Sequence, residues 1–143
     1  MISNETMRTL RRAGWTEGRV VDTIKWRLAL ENDGFSINAA AEAFLAEFGG
    51  LAVPEGGPGV ARFRGALVFD PLLCIGEEDR FAEWGRLVVE PLSPIGELED
   101  GRFLLGMDAK GTVYAVSSRL GRFDGAETAI DALVLGGAIE WLV

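Results

Sequence analysis

The stretch "FLLGMDAKGTVYAV", residues 103–116, constrains the fold more than any other part of this chain. Leu104, Gly106 and Asp108 alternate with Phe103, Leu105 and Met107, and beyond them Val113 and Ala115 alternate with Thr112, Tyr114 and Val116. A period of two places side chains on opposite faces of a strand. Between the two runs lies "DAKG", where Gly111 can take a positive φ and the Asp108 carboxylate can bond the turn backbone. These residues predict a β-hairpin and so an antiparallel sheet. Acids beside glycines also suit a metal loop or a catalytic carboxylate, but the hairpin accounts for every residue and catalysis for one.

Around this hairpin the pattern changes along the chain. Ser3 or Asn4 is placed to cap a short helix through Arg12, with Met7 and Leu10 on one side and Gly14 ending it. A second helix fits residues 19–32, closed by Gly34. Its Val21, Ile24 and Leu28 recur at three and four and mark a buried stripe, while Trp26 and Leu30 mark another face. A helix apolar on two faces is expected between neighbours; the alternative is an exposed binding face. In a third helix Ile37, Ala41, Phe44 and Phe48 recur at four, three and four, with Ser36 or Asn38 as cap and Gly49 as stop.

Residues 51–53 read as a short strand, 54–59 as a Pro/Gly loop, and "VARFRGALVFD" as a strand stopped at Asp70-Pro71. A helix then opens with Glu77, Glu78 and Asp79 in its first turn, where carboxylates favour the dipole, and buries Phe81, Trp84 and Leu87 or Val88. Strands are expected at 92–98, 103–107 and 112–116, and a last helix at 126–135 with Ile130, Leu133 and Val134 buried. The order predicts an α+β fold: N-terminal helices, a central, mainly antiparallel sheet and a C-terminal helix. With 143 residues one domain spanning 1–143 is expected.

Composition removes most chemistry. The chain has no histidine and one cysteine, Cys74, inside an apolar run where a buried thiol is expected. Ser-His-Asp and Cys-His catalysis are excluded within the chain, as are His-containing or multi-thiolate zinc sites. No phosphate-binding or dinucleotide glycine motif occurs. Carboxylate chemistry needs only two acids, but neither acidic group, Glu77-Glu78-Asp79 with Glu83 nor Glu97, Glu99 and Asp100, matches a specific motif. No catalytic, cofactor or metal residue is assigned. The N-terminus lacks the apolar core of a signal peptide and no apolar run is long enough to cross a bilayer, so a cytoplasmic location without membrane contact is expected.

Net charge is −8, unevenly spread. Up to Arg27 there are six basic and three acidic residues; the remainder has eight basic and nineteen acidic, or −11. Such a field opposes direct nucleic-acid binding and favours encounter with a basic partner.

The ordered features resemble a known family. "AGW" at 13–15, Arg19, Trp26, "FLAEFGGL" at 44–51, "FDP" at 69–71, "WGRLVVEPLSPIGE" at 84–97, "MDAKGTVYAV" at 107–116, "LG" and "AIDALVLGG" at 129–137 cover nearly the whole chain. This set resembles the third subgroup of the SUKH superfamily of bacterial immunity proteins. The resemblance implies a cytosolic α+β module that binds and neutralises a cognate polymorphic toxin, often a nuclease or nucleic-acid deaminase, without catalysis. It transfers no functional residue, because the matched positions look like fold determinants. Charge clustering alone nominates partner contacts: Glu77, Glu78, Asp79, Glu83, Glu97, Glu99 and Asp100. The competing readings are an adaptor of the same fold with another partner and a small carboxylate-dependent enzyme.

Overall fold

In the computed structural model, residues 2–123 and 126–142 are described. Three helices come first: α1 (Asn4–Arg12), α2 (Ile24–Asn32) and α3 (Ala39–Phe48). Short strands follow, β1 (Ala52–Val53), β2 (Gly57–Pro58), β3 (Phe63–Arg64) and β4 (Leu67–Val68), then a 3-10 turn (Pro71–Cys74) and α4 (Glu78–Val88). The chain continues through β5 (Ser93–Leu98), β6 (Phe103–Met107), β7 (Val113–Val116), β8 (Leu120–Phe123), α5 (Ala126–Leu135) and β9 (Glu140–Trp141). Seven strands form one antiparallel sheet in the order β1-β4-β5-β6-β7-β8-β9, and β2 pairs with β3 separately. The α+β order expected from the sequence is the order observed.

The sheet is covered on both faces. Leu67, Leu98, Leu105, Met107, Val113 and Phe123 pack with residues of α1, α3 and α5. Phe44 is central there, with Phe48 tilted against it at 5.0 Å and Phe69 edge-on at 5.1 Å. The opposite face presents Leu104, Tyr114, Val116 and Leu120 to Leu30, Phe35, Cys74, Phe81 and Leu92. Leu104 and Leu105 are adjacent in β6 yet belong to different clusters, as the period of two requires.

The β6–β7 hairpin forms as predicted, in the register Met107↔Val113. Gly111 has φ 87°, and Asp108 is 2 % exposed. Asp108 Oδ1 accepts the N–H groups of Lys110 (2.9 Å) and Thr112 (3.0 Å), and Oδ2 accepts the Tyr114 hydroxyl (3.3 Å). The carboxylate thus organises a turn.

Two expectations are corrected. The second helix begins at Ile24, not residue 19. Residues 19–23 are used otherwise: Arg19 donates to the carbonyls of Glu47 (2.5 Å) and Gly49 (2.8 Å) at the end of α3, and Val21 N–H donates to Ala46 O. These contacts satisfy α3 carbonyls that the helix itself leaves orphaned. The stripe of α2 also faces the other way. Leu30 is fully buried and Trp26 partly so, whereas Ile24 and Leu28 are 48 % and 62 % exposed. The sequence likewise did not single out β8 and β9, which extend the sheet beyond β7.

Candidate interaction surface

The C-terminal end of α2 adjoins the 3-10 turn, where its buried Leu30 packs in the same cluster as Cys74. Asp33, the C-cap of α2, accepts the Gly76 N–H through Oδ2 at 2.9 Å, tying the two elements together. Asp70 caps the turn by accepting Leu72 N–H (3.0 Å), and Pro71 supplies a preset φ at its first position. Pro71 and Cys74 point inward, leaving Leu72, Leu73 and Ile75 exposed. The apolar run at 72–75 is therefore a surface feature around one buried residue. Burial pushes the Cys74 thiol up to about 12, and Sγ contacts Gly96 O at 3.5 Å, so this sulfur stays protonated.

The acidic residues nominated from the sequence fall into distinct positions. Glu77 precedes the first turn of α4 and pairs with Arg80 Nη1 at 3.3 Å. Glu97 projects from β5, partly buried. Its carboxyl is held above the ordinary carboxylate range, first by burial, then by the charges of Asp100 and Asp70. Glu97, Asp70 and Glu77 all act on Cys74 as well. Glu77 and Glu97 thus share Cys74 as a neighbour at the 3-10 turn, and Asp100 faces Glu97 from the following turn. Asp70, which reads in the sequence as a strand stop, acts on both Cys74 and Glu97. The Asp-Pro pair was a visible cap signal; its proximity to Glu97 was not.

Asp100 and Gly101, at φ 55° and 87°, fill the central positions of a type I′ turn closed by Arg102 N–H to Glu99 O at 3.1 Å. Glu99 is left-handed too, at φ 55°, and is held there by its N–H bond to Ala66 O (2.8 Å). Its charge is turned toward Arg102, 4.0 Å away, and Arg62. Arg62 in turn donates to Ala132 O (2.8 Å) and Gly137 O (2.9 Å) at the end of α5. Glu99 therefore stands apart from the Glu97 group. Asp79 and Glu83 lie exposed one turn apart on α4. Glu78 is partly buried, and its Oε2 is buried without a hydrogen-bond partner.

Carboxylates beside exposed leucines and isoleucines form a surface suited to binding: apolar area to bury, and charge at its margin to orient a partner. Among the described residues no group of three or more His, Cys, Asp or Glu side chains is arranged to hold a metal ion, and no helix is long and apolar enough to cross a membrane.

The family model described as SUKH-3 immunity protein matches residues 2–136 of the chain. No curated protein and no solved structure matches it.

Proposed function

The chain belongs to the SUKH-3 immunity protein family, and on that premise we propose that it binds a cognate polymorphic toxin, a nuclease or nucleic-acid deaminase domain, and neutralises it by covering its active or substrate-binding surface. Neutralisation is by occupancy, without catalysis, and takes place in the cytoplasm.

The family match carries the immunity role, and a cationic partner surface is supported by the charges of Asp70 and Asp100 acting on the partly buried Glu97 near the exposed apolar turn. Like charges held together cost stability, and a partly buried Glu97 adds desolvation to that cost. A cationic partner relieves both. Toxins that act on nucleic acid hold phosphates with basic grooves, so their surfaces supply the matching charge. Within the proposed contact set, Glu97 and Asp100 form the centre, Glu77 stands beside them with its charge partly answered by Arg80, and Asp79 and Glu83 form the exposed flank on α4. Glu78 enters through a cavity described below. Glu99 contributes at the margin, since its charge is partly answered by Arg102 and Arg62.

Co-expression with a toxin encoded beside this chain tests the role: rescue of growth together with a stable complex is expected. Reversing Glu77, Glu97 and Asp100 to Lys as a group should weaken the complex and flatten its salt dependence. Unchanged affinity and unchanged salt dependence would remove the acidic cluster from the interface.

A further inference from the structure

Beside α4 lies a cavity of about 560 Å³ that the acidic cluster does not account for. Phe35, Phe81 and Leu92, all buried core residues, line it together with Pro91. Phe35 and Phe81 meet edge to face, their centroids 5.3 Å apart. Glu78 also lines the cavity, and its Oε2 is buried with no hydrogen-bond partner. A carboxylate oxygen withdrawn from water and left unpaired is costly. An apolar wall beside it accommodates an aliphatic shank.

The rim carries a second irregularity. Val89 caps α4 at φ 59°, ψ 33°, a left-handed conformation that is a true outlier for a β-branched side chain, and it is 85 % exposed. It therefore stands proud of the cavity edge with almost nothing packed on it. Two other charges line the space. Arg86 lies eight residues from Glu78, roughly 12 Å along the helix by its rise per residue, and Glu90 is paired with Lys110 at 3.2 Å. Glu78 thus defines an anionic end separated from Arg86.

We propose that this cavity receives a lysine or arginine side chain of the partner protein, with its charged head on Glu78, its shank against Phe35 and Phe81, and Val89 gripping the adjoining backbone. The partner's identity as a toxin rests on the reading above; the chemistry of the cavity does not.

The test is an amide ¹H–¹⁵N titration with the blocked pentapeptide acetyl-Gly-Gly-Arg-Gly-Gly-amide, its lysine counterpart and a glutamine control. The Arg or Lys peptide should shift the amides of Gly34, Ala82 and Gly85, and the glutamine peptide should not. Glu78→Gln, which keeps the shape and removes the charge, should weaken binding at least about tenfold, the scale of one charge-assisted hydrogen bond. Ala82→Trp, placed at an exposed site on the rim, should block entry while leaving remote amides unmoved. Equal response to the glutamine peptide, no response to any peptide, or binding unaffected by either variant overturns the proposal. A cavity that binds the cationic peptides in a chain that fails to bind its neighbouring toxin leaves this site standing and defeats the toxin reading. Toxin rescue without peptide response does the reverse.

Discussion

The hydroxyl of Tyr114 donates to Asp108 Oδ2 across the β6–β7 hairpin, 3.3 Å apart, while the other carboxylate oxygen accepts two backbone N–H groups. Both residues are buried. Asp108→Ala should therefore lose about 2–3 kcal/mol, the range for hydrogen bonds to a charged group plus orphaned donors, whereas Tyr114→Phe should lose about 1 kcal/mol. Urea denaturation measures both. A loss below 0.5 kcal/mol for Asp108→Ala (about the scale of a neutral surface change) would show that the turn holds without its carboxylate.

Cys74 offers a test by chemistry. Its thiol is fully buried and raised from 9.0 to about 12. Ellman's reagent at pH 8 should leave the native protein unlabelled and titrate one thiol after unfolding. The linkage has a definite sign. The unfolded thiol loses its proton near its ordinary value while the folded one keeps it, so stability is full below pH 9.0 and falls as pH rises toward about 12. Stoichiometric labelling of the folded protein would contradict this burial.

Glu97 is raised by burial, then by Asp100 and Asp70. The folded state thus holds this proton more tightly than the unfolded chain, and its favourable contribution, complete below the ordinary value of 4.5, is lost as pH rises through the folded value. Glu97→Gln should stabilise the protein at neutral pH and remove that slope, while weakening the toxin complex. Destabilisation at pH 7 would mean the charge has an internal partner.

Val89 adopts its left-handed conformation without burying its side chain. Val89→Gly should raise stability by about 1 kcal/mol, the cost of that conformation for a residue with a Cβ. A gain in thermal midpoint combined with weaker toxin binding would mark the strain as functional; a lower midpoint would mean that Val89 contacts outweigh the strain.

Leu28 and Leu73 are exposed apolar side chains on α2 and the 3-10 turn. Leu28→Asp and Leu73→Asp should change stability by less than about 0.5 kcal/mol and reduce toxin affinity. Calorimetric titration against the toxin reads the second effect directly; wild-type affinity in both variants would place the interface elsewhere.

Much of the fold was legible because it is encoded locally. The alternation in residues 103–107, the turn demanded by Asp108 and Gly111, and the caps Ser3 and Asn38 each need only a few neighbouring residues. Helix α5 was legible from end to end for the same reason. Strand β1 falls within the expected strand at 51–53, and β3 and β4 within the one expected through Asp70, but β2 and β9 carry too few residues for a period to show.

The candidate surface was legible only in part. Its acids stood out by clustering, but Asp70 reads in the sequence as a strand stop, and the apolar run around the buried Cys74 does not show that Leu72, Leu73 and Ile75 face outward. In α2, Ile24 and Leu28 were as plausible a buried stripe as Trp26 and Leu30, because both sets recur at helical spacing. Sequence by itself determined the main helices, the β6–β7 hairpin, the excess of acid and the absence of histidine chemistry. Which face of α2 meets solvent, which carboxylates crowd Glu97, and which one is left unpaired in a cavity were decided by tertiary structure. Burial and charge coupling depend on what residues remote in the chain bring into contact, and no local pattern records that.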